Sequence, residues 1–247
     1  MGNIFGRALA SMCARGVLGW LPDKQYLQLY YFGLFGKWID FNAPKTFNEK
    51  LQWLKLYDRK DIYTTMVDKD LAKKYVADII GDEYIIPTFG VWDKFDDIDF
   101  ESLPDRFVLK TTHDSGGVCI CKGKDIFDFE QARKKMTASL KNDFYRIGRE
   151  WPYKNVKHRI IAEEYIEANG HLDDYKFFCF NGKVKFFKID FDRHTNHRAN
   201  YFDDKCHLLE IEEVNYPRDP DRNLYIPPNI GKMIQLAEQL SKRNSFL

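Results

Sequence analysis

The sequence predicts an α+β fold in which a helical first third gives way to antiparallel strands. Three observations predict it. Apolar residues recur at helical spacing up to Gly81, and aromatic and β-branched runs bounded by turn residues begin at Tyr84. Asn181-Gly182 then stands between two such runs as a two-residue hairpin signal. With 247 residues, 44% of them hydrophobic, the chain can bury one large core or two modest ones.

The elements follow in order. Met1 to Leu21 is apolar and rich in small residues, but Arg7 and Arg15 interrupt it. It lacks the unbroken apolar run of a signal peptide, so a capping helix, or one docking on a partner or a membrane surface, is expected. Pro22-Asp23 opens a helix through Phe35. After the loop at Asn42-Ala43-Pro44-Lys45, Thr46 and Glu49 form a capping box, and Phe47, Leu51, Leu54 and Tyr57 continue at helical spacing. Asp68 starts the next helix and Gly81 stops it. Strands are expected at Phe107–Lys110, Val118–Cys121, Arg159–Ile166, Tyr175–Phe180 and Lys183–Phe191, interrupted by a polar helix from Asp128 to Lys141. A last helix, Asn229 to Lys242, carries Ile230, Met233, Ile234, Leu236, Ala237 and Leu240 as its apolar face. The expected division is a helical segment 1–66, a small α+β part 67–158 and a larger antiparallel part 159–247.

Lys and Arg number 38 against 37 Asp and Glu, so no overall field points to nucleic acid or to an acidic partner. No apolar run of about 18 residues suits a spanning helix. Five irregularly spaced cysteines suit a reducing compartment better than a disulfide framework.

Four stretches point to chemistry, each with a plainer alternative. Phe107-Val108-Leu109-Lys110 runs into a polar loop ending Ser115-Gly116-Gly117. Glycines there let backbone N–H groups approach an anion while Lys110 adds a point charge; an ordinary hairpin reads the same way. Arg159 to Ile166 is an apolar strand ending in paired acids, able to edge a flat heterocycle or simply to close a sheet. On strand alternation Asp174 and Lys176 share a face, suiting ribose and phosphate, or a cross-strand ion pair. Lys69 and Lys73 lie one turn apart, aimed at one site or at solvent.

Together these stretches resemble the ATP-grasp superfamily, and within it the TupA-like branch of bacterial capsule or teichuronopeptide-type polysaccharide biosynthesis. Its most specific part is Pro44-Lys45-Thr46-Phe47-Asn48-Glu49-Lys50-Leu51-Gln52-Trp53-Leu54-Lys55, followed in order by the stretches above and by Ala237-Glu238-Gln239-Leu240-Ser241. The resemblance implies an ATP-grasp-like fold with ATP and Mg2+ as cofactors. It implies that Lys73 and Lys110 touch the phosphates and that Ser115, Gly116 and Gly117 cover them. Glu163, Glu164, Tyr165 and Ile166 would form the adenine hinge. Asp174 would hold the ribose, with Lys176 beside it. Arg193, His194, His197 and Arg198, in a polar loop after the long strand, are candidates for an anionic substrate.

The implied reaction is an ATP-dependent carboxylate–amine ligation through an acyl phosphate. Its partners would be a nucleotide, a carboxylate-bearing sugar or amino acid, and other polysaccharide-assembly enzymes, in the cytoplasm or at the inner face of the cell membrane. In the family, an Arg–apolar–Asp strand and a Glu-bearing strand follow the final helix and supply the metal ligands. This sequence ends at Leu247, about where the first would begin. The expectation is therefore a chain without the family's metal-binding strands, either a fragment of a longer enzyme or a natural short form, and catalytically incomplete as given. Two other readings stay open: a non-catalytic scaffold of polysaccharide assembly, and a glycosyltransferase using Asp190-Phe191-Asp192 or Asp96-Asp97-Ile98-Asp99 as its Asp-x-Asp motif.

Overall fold

The computed structural model describes residues 4–167, 172–193, 195–222, 224–242 and 244. The fold is α+β with two antiparallel sheets, and the chain divides into two compact units. The first comprises Met1–Tyr75 and Ile86–Tyr165; the second comprises Val76–Ile85 and Ile166–Leu247. The segment 1–66 packs in the same unit as most of 67–158, and the strand that follows belongs there too.

The first unit opens with helices α1 (Ile4–Ala14), α2 (Asp23–Phe35), α3 (Phe47–Tyr57) and α4 (Asp61–Val67). α2 stops at Gly36, whose φ of 68° is the left-handed cap that glycine adopts without Cβ strain. Thr46 and Glu49 close the expected capping box on α3, with Thr46 Oγ1 accepting from Glu49 N and Glu49 Oε2 accepting from Thr46 N. Such a box stabilises a helix by about 1 kcal/mol. Cys13, Tyr26, Leu27, Tyr31, Ile39 and Phe41 form the core of this helical part. Tyr26 anchors it, its hydroxyl meeting Cys13 O at 2.9 Å and Ile147 O at 2.6 Å. Arg149 clamps it from the other side, donating to Gly19 O and Leu21 O.

The first sheet has the order β1-β4-β2-β3, where β1 is Thr88–Trp92, β2 Phe107–Thr111, β3 Val118–Cys121 and β4 Ile160–Glu164. Its register sorts the side chains. Leu109 faces Ala162 and Cys119, so Phe107, Leu109, Ile160, Ala162 and Cys121 share the core face with helix α6 (Phe129–Ser139). Val108 faces Glu163 and Lys110 faces Ile161, which puts Lys110 and Glu163 together on the opposite face. Helix α5 (Leu71–Ile80) runs on from Asp68, and the short helix α7 (Phe144–Gly148) precedes β4.

The second unit holds the sheet β5-β6-β7, with β5 at Asp174–Phe180, β6 at Lys183–Phe191 and β7 at Arg198–Asp203. Asn181 and Gly182, at φ 49° and 74°, make the expected tight turn between β5 and β6. Phe187, Ile189 and Phe202 form the core face, and helix α8 (Ile230–Ser241) packs against β5 and β6.

Four elements lay outside the expectation: α4, α7, β1 and β7. β1 is five residues long, carries Gly90 and a bulge, and follows Pro87, which hides its alternation. Arg198, expected in a polar loop, opens β7 instead, opposite Phe191 on β6. The short, mixed run from Arg198 to Asp203 becomes a strand because β6 offers it a partner, a tertiary effect that local pattern does not carry.

Candidate functional site

In the first unit, three lysines gather near one carboxylate. Glu163 is 4% exposed on β4. Lys73 from α5 reaches its Oε1 at 2.7 Å, and Lys110 from β2 reaches its Oε2 at 2.5 Å. Lys73 also donates to Ile86 O and Thr88 Oγ1. Lys69 donates to Thr111 O at 2.9 Å and to Asp114 O, and lies within electrostatic reach of Lys110 and Glu163. Burial alone would raise the Glu163 carboxyl, but the bonds from Lys110 and Lys73 outweigh it and hold it below the usual carboxylate range. Burial pushes the Lys69 ammonium down.

Local chemistry explains why the lysines converge. Asp68, 1% exposed, accepts from Asp70 N and Leu71 N through Oδ1 and so starts α5, while its Oδ2 takes Arg159 at 3.2 Å. Lys69 N donates to Thr112 O and Thr112 N to Arg159 O, tying this start to the ends of β2 and β4. Arg159 also pairs with Asp70 at 2.9 Å. Lys69, just before the helix, and Lys73, in its first turn, are thereby fixed over the same sheet face.

The loop after β2 is organised by Asp114, which sequence reasoning did not single out. Its carboxylate accepts from Thr111 Oγ1, Ser139 Oγ and Gly117 N. These bonds hold it below the usual carboxylate range against the upward pull of burial. The two glycines sit differently in this loop. Neither adopts a positive φ. A Cβ on Gly117 would collide with Thr111 Oγ1 and Ser139 Oγ, whereas one on Gly116 would meet nothing. Gly117 is thus required by close packing and its N–H is taken by Asp114, while Ser115 and Gly116 are exposed. Beneath the loop, His113 stacks on His158 at 3.6 Å, its Nε2 on Asn142 O and its Nδ1 without a hydrogen-bond partner. Burial, then the neighbouring His158, pushes the His113 imidazole down.

The rest of the expected hinge runs from the last residue of β4, Glu164, off the end of the strand. Glu164 is exposed and its N–H donates to Pro87 O. Tyr165 lies under the Arg106 guanidinium at 5.4 Å, and Ile166 is 46% exposed. Phe89, Pro104, Asp105, Arg106, Glu164 and Tyr165 line a shallow cavity of about 280 Å³.

The second unit carries its own charged face. Register sets Asp174 opposite Asp190 and Lys176 opposite Lys188, so like charges face each other. The diagonal contact resolves this: Lys176 Nζ lies 2.5 Å from Asp190 Oδ2. Asp190 is fully buried and also takes His197 Nε2 at 3.0 Å and Lys188 at 3.4 Å. Its carboxyl is held low by Lys176 and His197 although burial would raise it. Lys188 and Tyr201 share Glu213, and His197 stacks on Tyr216. Arg193 pairs with Asp174, and Asp192 with Arg222 at 3.5 Å. Asp190 and Asp192 are therefore each bound to cations. His194 lies outside the described residues. Lys188 and Glu213 were not expected, and a lysine two residues before Asp190 on the same strand face was the available signal.

Among the described residues, no group of three or more His, Cys, Asp or Glu side chains is placed to hold a metal ion. No described helix is long and apolar enough to cross a membrane. The family model described as TupA-like ATPgrasp matches residues 49–247. No curated protein and no solved structure matches the chain.

Proposed function

Because the chain belongs to the TupA-like ATP-grasp family, we propose that it is an ATP-dependent carboxylate–amine ligase of bacterial surface polysaccharide assembly. The observation that carries this reading is the lysine cluster: Lys73 and Lys110 both pair with the buried carboxylate of Glu163, and Lys69 stands within electrostatic reach of Lys110 and Glu163. Lys73 and Lys110 against the one carboxylate they share leave net positive charge on a sheet face, which suits a polyphosphate.

In the proposed reaction a substrate carboxylate oxygen attacks the γ-phosphorus of ATP and ADP leaves. An amine then attacks the acyl carbon, phosphate leaves, and the nitrogen gives up a proton as the amide forms. Lys73 and Lys110 act as point charges on the phosphates, and Glu163 keeps both ammonium groups on the same face. Glu164, Tyr165 and Ile166 edge the adenine, while Asp174 and Lys176 serve the ribose and a phosphate. Arg193, His197 and Arg198 are proposed to meet the substrate carboxylate. The family generally uses Mg2+ with ATP. The described side chains do not form a carboxylate set for that ion, and no step is derived through it.

Nucleotide titration tests the phosphate assignment. Lys110→Ala weakens ADP binding by at least about tenfold if Lys110 meets a phosphate, the loss of one charge-assisted bond. Unchanged affinity overturns the assignment.

A further inference from the structure

Helix α1 is packed inside out. Its inward face is made of small residues, with Gly6, Ala10 and Cys13 buried. Gly33 of α2 crosses it so closely that a Cβ there would lie 2.8 Å from both Gly6 O and Ala10 N. Leu9 flanks this face half-buried, and the other large apolar side chains point away from it. On a helical wheel Ile4 and Ala8 fall opposite the buried residues with Met12 and Phe5 on the adjoining flank, and Ile4 and Phe5 keep 85% and 68% of their surface exposed. Val17 and Trp20, in the turn that follows, are 55% and 76% exposed.

In water, a helix packed on its neighbour turns its large apolar residues inward. Small residues inward and large ones outward is the arrangement of helices packed in an apolar medium. At 11 residues α1 is about 16 Å long, too short to cross a bilayer but suited to lying along one. Charge chooses the surface: residues 1–22 contain Arg7 and Arg15 and no carboxylate. Nor is the face a loose end. Tyr26 and Arg149 bolt α1, the following turn and α2 to the rest of the unit, so the outward face is held on display. These helices also precede residue 49, where the family match begins, so the ligase chemistry does not account for them.

We infer that the outward face of α1, with Val17 and Trp20, docks on an anionic phospholipid surface. Ile4, Phe5 and Met12 enter the headgroup–acyl boundary, Trp20 sits at the headgroup level, and Arg15 meets lipid phosphate. The inference is independent of the nucleotide site.

Flotation of the whole chain with phosphatidylcholine vesicles, with and without phosphatidylglycerol, tests it. The expected result is flotation with the anionic vesicles only, with a shift of tryptophan emission to shorter wavelength. Replacing Ile4→Asp and Phe5→Asp together reduces binding at least about tenfold while the thermal midpoint stays unchanged, because both side chains are already in solvent. Arg15→Gln reduces it about fivefold, the share of one basic residue near an anionic surface. Failure to float with either vesicle, equal flotation with both, or a concentration-dependent dimer abolished by the double substitution overturns the inference. The last result would assign the face to a second copy.

Discussion

Replacing Glu163 by glutamine removes the charge that holds the lysine cluster together. Glu163 is 4% exposed, and its partners Lys73 and Lys110 keep 17% and 29% of their side chains in solvent. Breaking a fully buried pair costs about 3–5 kcal/mol. Here the variant's amide oxygen still accepts from one lysine and both ammonium groups keep some water, so about 2–3 kcal/mol is expected. Urea unfolding at neutral pH reads this as a lower midpoint at unchanged slope. The pH dependence supplies a second arm. The folded-state Glu163 carboxyl lies below its unfolded value of about 4.3, so its contribution is present above that pH and is lost as pH falls through the lower folded value. The gap between wild type and Glu163→Gln therefore closes below about pH 4. A loss under about 0.5 kcal/mol at neutral pH, or a gap that acid leaves intact, would refute the cluster as described.

Gly117→Ala destabilises by about 1–3 kcal/mol because its Cβ has no room beside Thr111 and Ser139, while Gly116→Ala stays within about 0.5 kcal/mol; thermal unfolding separates the two. Tyr26→Phe removes the hydroxyl donor that lies between Cys13 O and Ile147 O and costs about 1–2 kcal/mol by the same assay. His113 is depressed in the folded state, so wild-type stability falls as pH drops from about 6.5 toward its lower folded pKa, and His113→Gln flattens that slope in pH-dependent melts. Asp190→Asn leaves Lys176, Lys188 and His197 without their shared carboxylate and costs about 3 kcal/mol in urea.

Much of the architecture was legible because local chemistry and tertiary structure agree. The Thr46–Glu49 box, the Asn181-Gly182 turn and the whole of β6 fall where capping, turn and alternation rules put them. β1 and β7 were not legible, since each is a short run made a strand by its neighbour's edge. At the candidate site, residue types were readable but pairings were not. Lys73, Lys110 and Glu163 were each singled out, yet only the β2–β4 register shows that Val108 stands opposite Glu163 and so turns Lys110 to the same face. Asp114 and Asp190 were missed as organisers because a lone aspartate gains its role from partners far along the chain, such as Ser139 for Asp114.

The most direct measurement is a calorimetric titration of the chain with ADP and with adenosine, repeated on Lys73→Met and Lys110→Met. If the lysine cluster holds nucleotide phosphate, each substitution weakens ADP at least about tenfold and leaves adenosine binding unchanged. Equal ADP affinity in wild type and both variants, or equal losses for ADP and adenosine, would contradict it.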